Sequence, residues 1–126
     1  MPKVSKESAT QGGEFGPVTD RAEQLGEYTV NFTSFAEPVD GTPLLRGLPD
    51  DRCQCPHWGY VIKGRVTFRF PDRDEVYSAG DAFYTPAGHA PVIRESGTEF
   101  VMFSRAEQLK VTEEVMQRNM AAMQAG

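Results

Sequence analysis

Between Tyr28 and Ser104 the chain is a succession of short stretches in which apolar and polar residues alternate, each ended by Gly or Pro, with no helical period between them. That pattern restricts the region to antiparallel sheet. In Tyr28-Thr29-Val30-Asn31-Phe32-Thr33-Ser34-Phe35, the residues Tyr28, Val30 and Phe32 alternate with Thr29, Asn31 and Thr33, the period of two of a half-buried strand. Val66, Phe68 and Phe70 repeat it. His57 to Lys63 is aromatic and β-branched, and Gly64 stands where a tight reversal needs a residue tolerant of positive φ, so His57 to Phe70 reads as a hairpin. Leu44-Leu45-Arg46, Glu75 to Ser78, Ala82 to Thr85, Pro91 to Glu95 and Glu99 to Ser104 are further short strands. The turns between them hold Gly80, Pro86, Gly88 and Gly97, and Glu37 to Pro43 is turn chemistry as well.

The two ends differ from this middle. Residues 1–14 are rich in Ser, Lys, Gly and Thr without apolar periodicity, and are expected to form a flexible tail ahead of one domain spanning 15–126. After the last strand, Ser104-Arg105-Ala106-Glu107 has the spacing of a helix capping box, and Thr112 ahead of Glu113 and Glu114 marks a second start. Val115, Met116, Met120 and Met123 share one helical face, expected to pack on the sheet or on a neighbouring subunit.

With 126 residues the chain has room for a single core, and a net charge of -5 opposes binding to a phosphate backbone. Nucleic acid is excluded as an expected partner. No apolar run reaches the roughly 18 to 20 residues of a membrane span, and the N-terminus has no apolar core of a secretion signal, so a cytoplasmic setting is expected. Two cysteines one residue apart are then two thiols and not a disulfide.

Those thiols open the segment of greatest chemical interest, Cys53-Gln54-Cys55-Pro56-His57-Trp58-Gly59, while the second histidine, His89, follows the Pro86-Ala87-Gly88 turn. Both histidines of the chain therefore fall beside strand-closing turns. Cys53, Cys55, His57 and His89 make a tetrahedral donor set suited to zinc, with iron the alternative, since iron oxygenases prefer histidine and carboxylate over thiolate. A straight strand would hold Cys53 and His57 roughly 13 Å apart, too far to share an ion. The segment has to bend, and Pro56 supplies the means. Gly59, on the face of His57, is expected to leave room at the site, and Trp58 and Tyr60 to point the other way. The competing reading is that each cysteine packs as a small hydrophobe.

The Gly80-x5-Pro86-x-Gly88 spacing, behind a strand pair closed at Gly64, resembles the second motif of the cupin superfamily, and the stretch up to Gly64 resembles a modified first motif. The similarity extends over residues 28–104, and the Cys-x-Cys-Pro-His-Trp pattern is similar to a branch of uncharacterised single-domain cupins. Such a resemblance implies an all-β antiparallel double-stranded β-helix, or jelly-roll barrel, commonly dimeric, with a metal in its lumen. The ligands depart from the family pattern. His57 stands where a glutamate is usual, seven residues before the closing glycine; Pro91 takes the expected histidine position, with His89 two residues earlier. A register keeping the family gap would use Asp51 and Cys53 in place of Cys53 and Cys55.

Saturation of zinc by all four groups implies a structural or binding site of unknown substrate, whereas release of one, with Cys55 packing instead, leaves an open position as in the enzymatic cupins. Those include dioxygenases, isomerases and decarboxylases acting on small molecules. A small-molecule ligand in the barrel is the expected partner, and a homodimer is expected from Trp58, Tyr60 and the helical methionines, which one small barrel would leave in water.

Overall fold

The computed structural model describes residues 2–125. Its strands are β1 (Gln11–Phe15), β2 (Val18–Leu25), β3 (Tyr28–Phe35), β4 (Val39–Asp40), β5 (His57–Lys63), β6 (Arg65–Arg69), β7 (Asp74–Ser78), β8 (Ala82–Thr85), β9 (Ala90–Ile93) and β10 (Glu99–Arg105), and one helix, α1 (Ala106–Ala125), follows them. They form a six-stranded sheet in the order β1-β2-β3-β10-β5-β8 and a four-stranded sheet in the order β4-β9-β6-β7. All pairings are antiparallel. The sheets enclose one core of Phe35, Val61, Val66, Phe68, Phe70, Phe83, Ile93 and Phe100, the arrangement of a jelly roll.

Alternation decides which side chains enter that core. Along β5, His57 and Val61 are buried while Trp58, Tyr60 and Ile62 are exposed on the opposite face. Gly59 also points inward, but the space beside it belongs to Phe83. A Cβ at this position would lie 2.5 Å from Phe83 Cζ and 2.5 Å from Val101 O, so the glycine serves close sheet packing and not the metal-ligand candidates. At the β5–β6 reversal Gly64 has φ +72°, as the turn requires.

Four local expectations differ from the structure. Gln11–Phe15, within the expected tail, pair with β2 at the edge of the larger sheet. Ala9 ahead of them is buried, Lys6 Nζ lies 2.7 Å from Glu99 Oε2, and Arg21 Nη2 donates to Ala9 O at 2.7 Å. Backbone pairing and these polar contacts need no apolar period, which is why composition did not reveal them. Thr42–Leu45 is a 3₁₀ turn and not a strand, because Pro43 at its first turn cannot donate to a ladder, while Leu45 is buried. Val39–Asp40, within the expected turn, pairs with β9. Finally, Ser104 lies within β10 instead of capping α1, its hydroxyl being engaged elsewhere.

α1 is continuous through Thr112 and lies against the Thr42–Leu45 turn. Leu109 joins a second cluster with Leu45, Leu48, Cys53, Cys55 and Ala90, and Val115 and Met116 pack against it. Asn119 Nδ2 donates to Leu44 O at 2.7 Å and to Arg46 O at 2.9 Å, tying the middle of the helix to the turn. Met123, by contrast, is exposed. The helix therefore closes the end of the sandwich at which both cysteines lie.

Candidate metal centre

The segment before β5 bends as the ligand spacing requires. Cys53 forms an isolated bridge with His89, its N–H donating to His89 O at 2.9 Å and its carbonyl accepting from Gly88 N–H at 2.8 Å. The chain then bends at Cys55, passes Pro56, and enters β5 at His57, which pairs with Thr85 of β8. Cys53 and His57 consequently meet, with Sγ 3.7 Å from Nε2. Zinc bonds near 2.3 Å to sulfur and 2.0 to 2.1 Å to nitrogen at a tetrahedral angle give a sulfur–nitrogen edge of about 3.5 Å.

His89 completes the group. One ligand atom from each of Cys53, His57 and His89 lies within 4.8 Å of the others, and the two imidazole rings are 4.8 Å apart. His89 Nδ1–H donates to Pro86 O at 2.7 Å, which leaves Nε2 as the nitrogen with a free lone pair. That Nε2 is buried and has no hydrogen-bond partner. Phe68 and Phe70 meet the His89 ring edge-on, with centroids at 5.2 and 6.4 Å, so one flank of the group is apolar. An unpartnered imidazole nitrogen in such surroundings is costly alone and suited to a cation.

Two expected ligands lie elsewhere. Cys55 is buried, but its Sγ turns toward Pro56 O at 3.5 Å and does not join the other three side chains. The bend that brings Cys53 to His57 is made at Cys55 itself, and the Cys55 thiol packs beside the group without entering it. Asp51 has φ +54°, and its Oδ1 accepts from Gly47 N–H at 2.9 Å on the exposed side of the bend.

Cys53, His57 and His89 are 3%, 4% and 1% exposed, and burial controls their protonation. Desolvation pushes His57 down to about 3, helped by neighbouring His89, and pushes His89 down to about 4. Both imidazoles are thus neutral, the form that binds metal. Burial raises the Cys53 thiol, and pushes Cys55 up to about 12 with a further contribution from Cys53. Only a nearby cation would make Cys53 a thiolate.

Three residues around this group were not recognised from sequence as its neighbours. Ser104 Oγ lies 2.7 Å from His57 Nδ1 and holds the imidazole with Nε2 facing Cys53. Thr112 Oγ1 of α1 is 3.4 Å from Cys53 Sγ, so the helix itself reaches the centre. Thr85, the cross-strand partner of His57, is fully buried, and its hydroxyl has no partner. The sequence marks Ser104 and Thr112 only as helix-start residues, and nothing local in it marks Thr85.

No family model matches the sequence, and no curated protein matches it either. Solved structures do share its fold. A protein of unknown function from Rhizobium leguminosarum is 17% identical with a TM-score of 0.60, over 82% of this chain and 95% of that one. KdgF from Halomonas sp. is 19% identical with a TM-score of 0.57, over 81% and 90%. An RmlC-like cupin from Shewanella frigidimarina is 17% identical with a TM-score of 0.56, over 82% and 89%.

Proposed function

We propose that this chain, which has the cupin fold, is a metal-binding protein that holds one zinc ion on Cys53 Sγ and on one nitrogen each of His57 and His89. The carrying observation is the buried, unpartnered Nε2 of His89 beside two further ligand atoms. Cys55 stays a packed thiol in this reading, so the ion has three protein ligands and an open fourth position. Ser104 orients His57 as an outer partner, the role that such hydrogen bonds play at metal-bound histidines. When bound, zinc supplies Lewis-acid polarisation and lowers the pKa of a coordinated water. A thiolate among the ligands favours zinc over iron.

Elemental analysis of the purified protein after exposure to zinc tests this directly. About one equivalent per chain is expected, falling to a small fraction in a His89→Ala variant that retains its fold by circular dichroism. Wild-type protein that takes up no zinc, or other metal, sinks the proposal.

The open position favours a second reading, a metal-dependent cupin enzyme of the dioxygenase, isomerase or decarboxylase class acting on a small molecule. A substrate would have to reach the centre past α1, whose Leu109 and Thr112 cover Cys53. The unpaired state of both cysteines suits a cytoplasmic setting. Among the described residues no helix is long and apolar enough to cross a membrane.

Homodimerisation belongs to the same proposal. Trp58, Tyr60, Tyr84 and Phe103 are 43%, 46%, 49% and 42% exposed, and Trp58 packs on Tyr84 with centroids 5.1 Å apart. β10, β5 and β8 lie side by side, so these aromatics form one outward face. Covering that face with a second copy removes apolar surface from water. Light scattering at micromolar concentration should give the mass of a dimer, and Trp58→Glu should give a monomer. A wild-type monomer would rule the dimer out.

A further inference from the structure

We infer that Thr85 anchors a small oxygen-donor ligand, a water or hydroxide, at the open position of the metal centre. The inference rests on the three-ligand reading above and adds a role for a residue outside the ligand set.

Two polar atoms of adjoining elements stand buried without a partner, Nε2 of His89 and Oγ1 of Thr85. Thr85 is paired directly with His57 across β5 and β8, so their side chains leave the same face of the sheet with Cβ atoms about 4.5 to 5.5 Å apart. Both are buried, and that face is therefore the inner one. β5 lies between β10 and β8, which places Ser104 on one flank of His57 and Thr85 on the other. Ser104 is occupied by His57 Nδ1, and Thr112 by Cys53 Sγ. Of the three hydroxyls around the centre, Thr85 alone has its donor and acceptor capacity unused.

A buried threonine hydroxyl without a partner costs roughly 1 to 3 kcal/mol, and threonine differs from the nearly isosteric valine mainly in having that hydroxyl. Packing alone does not call for it. Beside a metal with three protein ligands, it can accept a hydrogen bond from coordinated water or donate one to coordinated hydroxide. Donation to hydroxide is charge-assisted and the stronger of the two, so Thr85 should lower the pKa of the bound water. It would act as a positioning residue, holding the exogenous ligand through its hydroxyl and contributing no bond to the ion.

Cobalt substitution makes the inference testable without any substrate. Cobalt(II) in place of zinc reports its coordination through visible absorption bands, which change when a bound water ionises. The wild-type spectrum should show one such transition with pH, and Thr85→Val should move it upward by about 1 to 2 units, the size of one lost charge-assisted hydrogen bond. Thr85→Ser should restore it. Metal content measured on the same samples should stay near one equivalent in all three proteins. If Thr85→Val fails to fold, Thr85→Ala takes its place with the same expected shift. A wild-type spectrum without a pH transition would overturn the inference, as would a transition in Thr85→Val within about 0.2 units of wild type. Both outcomes leave the three-ligand site standing, provided that metal is bound. Absence of metal from the wild-type protein is a separate result, and it overturns the site and this inference together.

Discussion

In a Cys53→Ser variant zinc affinity should fall by about a hundredfold or more, while Cys55→Ser should leave it within about threefold. Structural zinc sites with four ligands bind with about 10 to 16 kcal/mol, so one ligand's share is near 3 kcal/mol, or about two powers of ten. The sequence places both cysteines equally well, one residue apart. Geometry separates them, since Cys53 Sγ is 3.7 Å from His57 Nε2 and Cys55 Sγ turns to Pro56 O. Competition titration with a chromogenic chelator measures both affinities on folded protein. Equal losses in the two variants would restore the saturated two-cysteine site, and no loss in either would remove sulfur from the coordination altogether.

Metal-free protein should lose stability steeply in mild acid. The folded state holds His57 down to about 3 and His89 down to about 4 from an ordinary 6.5, through burial. An unfolded chain therefore takes up two protons as pH drops below 6.5, which the folded chain refuses until about pH 4 and below. The stabilisation is complete above pH 6.5 and is lost progressively beneath it. Between pH 7 and pH 5 each histidine contributes a loss of about 2 kcal/mol, about 4 kcal/mol for the pair. A domain of this size is stable by about 5 to 15 kcal/mol, so the loss is a large share.

Two half-buried carboxyls act in the opposite sense. Asp20, held by Asn31 and Thr33, is pushed up by burial, and Glu113 is pushed up by burial and by Asp20. Their folded forms accept protons more readily than the unfolded chain, which offsets part of the histidine loss. Urea unfolding in the presence of a chelator at pH 7 and pH 5 reads the net effect. Replacement of both histidines by glutamine should flatten the dependence. A wild-type dependence no steeper than that of the double variant would show that the imidazoles are not held neutral. Zinc should raise stability at pH 7 and lose its effect on acidification, because protons compete for the same nitrogens and sulfur.

What the sequence determined by itself was local. β3, β5, β6, β7, β8 and β10 follow from a period of two and from the turns at Gly64, Gly80 and Gly97, because a strand's inward face and the end of a strand are properties of neighbouring residues. The need for a bend between Cys53 and His57 was also legible, since strand rise alone forbids a shared ion. The register of distant strands decided the rest. β1 depends on pairing with β2, a contact that its own polar residues do not announce. Thr85 stands beside His57 because β8 pairs with β5 in one register, and a slip of one residue would turn its hydroxyl out of the core. Ser104 fits a capping box by spacing, yet its hydroxyl reaches His57, 47 positions away in the chain. Thr112 reaches Cys53 across 59 positions only because Leu109 and its neighbours seat α1 over the end of the sandwich. Donor types and their spacing were written along the chain; which donors meet was set by strand register and helix docking, where apolar burial is the driving term.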